Sequence, residues 1–113
     1  MATVYELGVE GEKAALDYLL KKRYKLMTAR FRDGRGEVDL IMRDKNTTVF
    51  VEVKYRKGGA KGDGLFAVTE NKRARLRSAA MAYAVKNKLV DAKMRFDVIE
   101  ITADGIMHIK NAF

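Results

Sequence analysis

Apolar and polar residues repeat along the chain with two different periods, which predict helices and strands. Charged residues recur every three or four positions over residues 4–23, opposite an apolar stripe that includes Ala15 and Leu19, as in an amphipathic helix. Thr69 can cap a second helix that reaches about Lys88. The remaining apolar blocks are rich in β-branched residues, which indicates strands. The predicted strands span residues 25–31, 37–42, 47–55, 94–101 and 106–110.

The order of the predicted elements is α-β-β-β-α-β-β. This order predicts an α/β sandwich in which helices flank a central mixed sheet. Asp104 and Gly105 separate the last two strands and form a strong two-residue hairpin signal. A chain of 113 residues can bury one modest core, so we expect a single domain over residues 1–113.

Composition narrows the classes of function. The net charge of +8 would attract a polyanion, either nucleic acid or an acidic membrane surface, although such a charge can also serve solubility alone. The absence of cysteine excludes disulfides and thiolate metal sites. No apolar run approaches the roughly 18 residues that span a bilayer, and the first residues lack the features of a signal peptide. We therefore expect a cytoplasmic protein with no membrane partner.

Charged residues lie inside the second and third predicted strands, where a sheet protein usually places apolar side chains. A hairpin turn at Lys45 and Asn46 would bring Asp39 directly opposite Glu52. On the same side of the sheet, this register pairs Glu37 with Lys54 and Ile41 with Phe50. The opposite side would be entirely apolar, with Val38, Leu40, Met42, Val49, Val51 and Val53.

Facing carboxylates destabilise a sheet unless a proton or a cation lies between them. Mg²⁺ and Mn²⁺ prefer carboxylate oxygens, so Asp39 and Glu52 form a candidate metal site. Lys54, two residues from Glu52, could orient a water or neutralise charge that develops on a phosphate. The alternative is a salt-bridge network of Glu37, Asp39, Glu52 and Lys54 on a half-exposed sheet.

Glu12 is a third candidate carboxylate. It lies away from the charged helix face marked by Glu10 and Lys13, and a carboxylate turned toward a core needs a partner. Gly8 and Gly11 remove side-chain bulk nearby and would let a backbone or a substrate approach closely. The alternative is that Glu12 reaches water or pairs with a nearby arginine.

Basic residues cluster in the loop after the third strand and in the first turns of the second helix. Such residues could hold phosphates without reading sequence, although a solvated helix face is the alternative. The single histidine, His108, is expected to be structural because no cysteine or second histidine accompanies it. The candidate nucleic-acid-binding residues are Arg56, Lys57, Lys61, Lys72, Arg73 and Arg75.

Several segments together resemble a known family. They are GVEGEKAALDYL (residues 8–19), RGEVDLI (35–41), FVEVKYR (50–56), and the closing RFDVIEI and IKNAF. In order and spacing they resemble the YraN family, also called UPF0102, over nearly the whole chain. Its broader relatives are the PD-(D/E)xK nucleases of restriction-endonuclease-like fold, which include the archaeal Holliday junction resolvases.

The resemblance implies a metal-dependent hydrolase of phosphodiester bonds in DNA, with branched or structured DNA as a substrate, Mg²⁺ or Mn²⁺ as cofactor, and a homodimer as one option. One departure from the family pattern is Arg30, at a position where asparagine is expected. By resemblance, Asp39 is the motif aspartate, Glu52 and Lys54 form the E-x-K element, Glu12 is the carboxylate of the first helix, Glu37 is an auxiliary acid, and the Val53 carbonyl is a metal ligand.

Three functions remain open at this point. The first is a metal-dependent nuclease acting on DNA. The second is a nucleic-acid-binding module that keeps the nuclease fold without turnover. The third is a protein-interaction adaptor whose basic surface confers only solubility.

Overall fold

The computed structural model describes residues 4–55, 68–89 and 92–113, with side chains from residue 10 onward. The elements follow the predicted α-β-β-β-α-β-β order, which is compatible with a restriction-endonuclease-like arrangement. No helix within the described residues is long and apolar enough to cross a membrane. The elements are α1 (Val4–Lys21), β1 (Lys25–Asp33), β2 (Gly36–Asp44), β3 (Thr47–Tyr55), α2 (Glu70–Lys86), β4 (Lys93–Thr102) and β5 (Gly105–Ile109).

The five strands form one mixed sheet in the order β1-β2-β3-β4-β5. Neighbouring strands are antiparallel except β3 and β4, which run parallel. A parallel pair requires a crossover connection, and α2 lies in that connection. Strands β1 and β5 are therefore the two edges of the sheet.

Each face of the sheet packs against one helix. Ala15 and Leu19 of α1 lie in one buried cluster, and Leu76 and Tyr83 of α2 lie in the other. Ala15 and Leu19, from the apolar stripe expected for the first helix, are thus buried against the sheet. The α1 cluster includes Leu40, Met42, Val49, Val51 and Ile99, and the α2 cluster includes Ile41, Phe50 and Val98.

Two chain reversals differ by one or two residues from the sequence expectation. Helix α1 ends at Lys21 rather than near residue 23, because Arg23 adopts a left-handed φ of 69°. In the last hairpin, Thr102 pairs with Gly105, so the turn residues are Ala103 and Asp104. Gly105 begins β5, where its φ of 124° suits a residue without a side chain.

Val38 lies on a different face from the one expected. The sequence predicts that Val38 lies on the same face of the sheet as Leu40. In the structure Val38 packs on the other face, in the α2 cluster with Ile41 and Phe50. Strict alternation fails here because the β2–β3 ladder ends at Leu40, so the pleat of β2 is no longer constrained from that side.

Candidate active site

The β2–β3 hairpin opens at the position of the predicted carboxylates. Its ladder runs from the Asp44–Thr47 pair to the Leu40–Val51 pair, in the register expected from the sequence. Beyond Leu40 the backbone N–H of Val53 donates to Oδ2 of Asp39 at 2.8 Å. A side-chain carboxylate thus replaces a backbone acceptor, which places Asp39 between the separating strands.

Asp39 is an unusual strand carboxylate because its pKa is raised from 3.8 to about 7. Burial is the largest cause, and the negative charge of Glu52 is the second. The hydrogen bond from Val53 lowers the pKa, Glu12 raises it further, and the Lys72 ammonium lowers it. Burial and the nearby Glu52 therefore disfavour the ionised form of Asp39, and a bound cation would relieve this cost.

Glu52 is buried and holds two ammonium groups. Its Oε1 lies 3.2 Å from Nζ of Lys54 and 2.6 Å from Nζ of Lys72. The pKa of Lys54 is lowered, first by burial and then by the neighbouring Lys72. Burial also acts to lower the pKa of Lys72, but its contacts with Glu52 and Lys54 outweigh burial and leave the pKa raised. Lys54 is thus the ammonium of the pair that releases its proton more readily.

The other two predicted acids each pair with an arginine of β1. Glu12 lies 2.7 Å from Nε of Arg30, the arginine pairing considered as an alternative from the sequence. Glu12 still lies close enough to Asp39 for its negative charge to raise the pKa of Asp39. Glu37 lies 3.1 Å from Arg32, and both side chains are well exposed. Glu37 therefore behaves as a surface ion pair at the rim of the site.

A cavity of about 570 Å³ is lined by Glu37, Asp39 and Glu52 on the sheet and by residues of α2. Arg32 lines it from the end of β1 and Arg35 from the β1–β2 turn, and Lys72 and Arg75 line it from α2. Arg32 and Arg35 were not singled out from the sequence because side chains at and beside a turn follow no regular period, although the charges around Gly34 were a signal. The full lining is Arg32, Asp33, Gly34, Arg35, Gly36, Glu37, Asp39, Glu52, Thr69, Lys72, Arg75 and Leu76.

The six residues predicted to bind nucleic acid differ in their position relative to the cavity. Lys72 and Arg75 line the cavity, whereas Arg73 donates to the Val68 carbonyl at 3.1 Å and lies over the ring of Phe113. The remaining three candidates, Arg56, Lys57 and Lys61, lie outside the described residues.

A second charged cluster surrounds Asp97, which is fully buried. Arg95 donates to both of its carboxylate oxygens, at 2.9 and 3.0 Å, and Nε2 of His108 lies 2.6 Å from Oδ2. The N–H of Asn111 donates to Oδ1 at 3.0 Å, and Arg95 also reaches Asp44 at 3.3 Å. The cluster ties β4 to β5, to the C-terminal residues and to the end of β2. His108 is thus part of a buried structural network, as expected.

The family model described as Uncharacterised protein family UPF0102 matches residues 11–101 of the chain. The chain belongs to the UPF0102 family. The region matched by the UPF0102 model contains all four side chains that meet at the hairpin end and the beginning of α2, namely Asp39, Glu52, Lys54 and Lys72.

Relatives with UPF0102 names match the chain almost from end to end. A UPF0102 protein of Geobacter metallireducens is 45% identical over 95% of this chain and 91% of its own length. One of Geobacter sulfurreducens is 44% identical over 95% of this chain and 88% of its own length. One of Thermodesulfovibrio yellowstonii is 44% identical over 96% of both chains.

The acids of this UPF0102 chain fit a divalent cation that takes few protein ligands. Within the described residues, no three Asp, Glu or His side chains group closely enough to hold a metal ion. Two carboxylates, Asp39 and Glu52, line the same cavity, and Mg²⁺ often takes only one or two together with waters and substrate phosphate. Glu12 would join them only after leaving Arg30.

Proposed function

We propose that the protein is a metal-dependent nuclease that hydrolyses phosphodiester bonds in DNA. The observation that carries this proposal is the pair of carboxylates, Asp39 and Glu52, at the open end of a hairpin in a cavity lined by cations. A sheet gains nothing from two neighbouring buried carboxylates, whereas a cation site requires them.

In this proposal Asp39 and Glu52 hold Mg²⁺ or Mn²⁺, with the Val53 carbonyl and Glu12 as further ligands. When bound, the metal would polarise the phosphate and make a bound water more acidic. Lys54 lies beside Glu52, and its lowered pKa suits a group that orients the attacking water and exchanges a proton with it. Glu37 serves as an auxiliary acid at the rim.

The cations of the cavity suit a phosphodiester backbone. Arg32, Arg35, Lys72 and Arg75 line it together with the carboxylates, so negative charge on a phosphate would be neutralised next to the acids. Contacts of this kind position a nucleic acid without reading its bases. We propose a cytoplasmic enzyme that acts on branched or structured DNA, and a homodimer would supply the two active sites that a junction requires.

The test is a cleavage panel of linear, single-stranded, flapped and four-way DNA with Mg²⁺ and with Mn²⁺. We expect wild-type protein to cleave at least one of these substrates, and Asp39→Asn and Lys54→Ala to reduce cleavage at least about 10²-fold. Asp17→Asn, an exposed carboxylate on the outer face of α1, is the matched control and should cleave normally. Equal cleavage by all four proteins would end the proposal.

One observation favours a second candidate, a nucleic-acid-binding module without turnover. Glu52 forms ion pairs with two ammonium groups, and Glu12 forms an ion pair with Arg30. Of the three acids Asp39, Glu52 and Glu12, two are therefore neutralised by the protein itself. For this candidate, DNA binding would survive Asp39→Asn, and no substrate in the panel would be cleaved with either metal.

A further inference from the structure

A second cavity, of about 380 Å³, lies at the opposite end of β1 and β2. Its lining comes from the α1–β1 connection, the start of β1, the end of β2 and the β2–β3 turn. No carboxylate from the described part of the chain lines it. The lining side chains are Arg23, Lys25, Met27, Arg43 and Lys45, and all five are exposed.

No carboxylate among the described side chains neutralises the positive charge of this cavity. None of its four cations forms an ion pair with any side chain in 10–55, 68–89 or 92–113. The neighbouring carboxylate, Asp44, instead lies 3.3 Å from Arg95. Arg43 donates through Nε to the Lys45 carbonyl at 3.1 Å, which holds its guanidinium beside the turn. Like charges held together repel, so an anion would be attracted here.

The two cavities lie on the same pair of strands. Lys25 pairs with Arg43 near one end of the β1–β2 ladder, and Asp33 pairs with Gly36 at the other. Arg43 and Gly36 are seven residues apart on β2, which corresponds to roughly 23 Å at about 3.3 Å per residue. Asp39 lies between them, roughly 13 Å from Arg43.

This spacing matches a nucleic-acid strand. A strand in a duplex rises about 3.4 Å per nucleotide, so the second cavity lies about four nucleotides from Asp39 and about seven from Gly36 at the far end of the first cavity. An isolated small anion would need only one of the cavities, whereas a continuous backbone can engage both.

We propose that the second cavity is a phosphate-binding site for the backbone of the nucleic acid that occupies the first. Arg43 and Lys45 hold a phosphate of that strand, and Arg23 and Lys25 surround it. The inference rests on the proposed function in one respect, because it requires a nucleic acid at the carboxylate cavity. It does not require that this nucleic acid is cleaved.

The test compares a deoxydinucleotide with a single-stranded deoxyoligonucleotide of about 16 nucleotides, which reach one and both cavities respectively. Affinities are measured by fluorescence anisotropy at several salt concentrations in the presence of EDTA. The variant is Arg43→Gln with Lys45→Gln. The control is Lys86→Gln with Lys88→Gln, which removes the same charge from two exposed lysines outside both cavities. Thermal melting verifies that both variants are folded.

We expect the variant to bind the long strand about 10-fold more weakly, with a salt slope reduced by about two, and to lose much less for the short strand. The control should match wild type. The proposal is overturned if the variant binds the long strand like the control, or if it loses equally for both lengths. Polyglutamate is measured as a second polyanion. The proposal is also overturned if the variant binds polyglutamate more weakly than wild type but binds both strands normally, since that indicates an acidic protein partner. Length-dependent binding without any cleavage by wild-type protein would support this site and contradict the nuclease.

Discussion

At the scale of single residues, Asp39 shows how a carboxylate inside a strand can oppose stability. Its pKa is raised from 3.8 to about 7, first by burial and then by the charge of Glu52. Ionised Asp39 is therefore a cost to the folded state at neutral pH. A site that is destabilised in the absence of its ligand is common where function requires charge in a confined space.

This cost predicts a pH-dependent gain for Asp39→Asn. Below pH 3.8 the carboxyl is protonated in both folded and unfolded chains, so it contributes nothing to the pH dependence. Between pH 3.8 and about 7 the unfolded chain releases its proton first, and wild-type stability falls as the pH rises. At pH 8 we expect the variant to be more stable by as much as about 4 kcal/mol, measured by urea unfolding.

Two controls accompany this measurement. Asp17 is exposed, so the free energy of unfolding of Asp17→Asn at pH 8 should lie within about 0.5 kcal/mol of the wild-type value. Mn²⁺ at pH 8 should stabilise wild type but not Asp39→Asn. An Asn variant that is less stable than wild type at pH 8 would contradict the assignment of a raised pKa to Asp39.

At the scale of elements, the approach of α2 to β2 shapes the first cavity. A side chain at Gly36 would lie 2.4 Å from the carbonyl oxygen of Arg75, so only glycine allows this close approach. Lys72 and Arg75 belong to the same helix, so the distance between these elements also sets how far their charges lie from Asp39.

We predict that Gly36→Ala destabilises the protein by about 2–4 kcal/mol, because the backbone of α2 must move away from β2. The matched control is Gly34→Ala in the same turn, where an added Cβ meets nothing within 4 Å and the change should stay within about 0.5 kcal/mol. Urea unfolding measures both. The reasoning is contradicted if the two variants unfold at the same urea concentration.

At the scale of the whole molecule, the Asp97 cluster connects parts of the chain that are distant in sequence. Arg95 contacts Asp97, Asp44 and Tyr24, and Asp97 also contacts His108. The hydrogen bonds and the positive charge of Arg95 outweigh the effect of burial and lower the pKa of Asp97 below 3.8. The ionised carboxylate thus stabilises the fold.

We predict that Asp97→Asn costs about 3 kcal/mol at pH 7, because it removes the charge to which Arg95 and His108 bind. Stabilisation by a carboxylate with a lowered pKa is complete above pH 3.8 and is lost as the pH falls through the folded-state pKa. The difference between variant and wild type should therefore shrink below pH 3.8 in thermal unfolding. Asp44→Asn, which removes only the 3.3 Å contact, should cost less than about 1 kcal/mol.

Much of this architecture could be predicted from the sequence, because it depends on local periodicity. The β2–β3 register followed from the turn at Lys45 and Asn46, and the structure has the same register, including the pairing of Ile41 with Phe50. The opening of the hairpin at Asp39 could not be predicted, because alternation assumes a continuous pleat. Val38 was assigned to the wrong face for the same reason.

The residues around the site were predicted less completely. Asp39, Glu52 and Lys54 lie on one hairpin, so strand spacing was enough to group them. The pairing of Glu12 with Arg30 and the contact of Lys72 with Glu52 join different elements, and their geometry depends on how those elements pack. The Asp97 cluster has partners up to 71 positions apart, which no local pattern could indicate.

The hydrogen bond between Val53 and Asp39 also makes a backbone amide a sensor of this site. In a regular ladder the Val53 N–H would face a carbonyl, which does not titrate. Here its acceptor is a carboxylate with a pKa of about 7, so the amide proton experiences each change in the charge of Asp39. The nitrogen and proton resonances of Val53 thus monitor protonation, cation entry and backbone separation at this point, with isotopic enrichment of nitrogen as the only label.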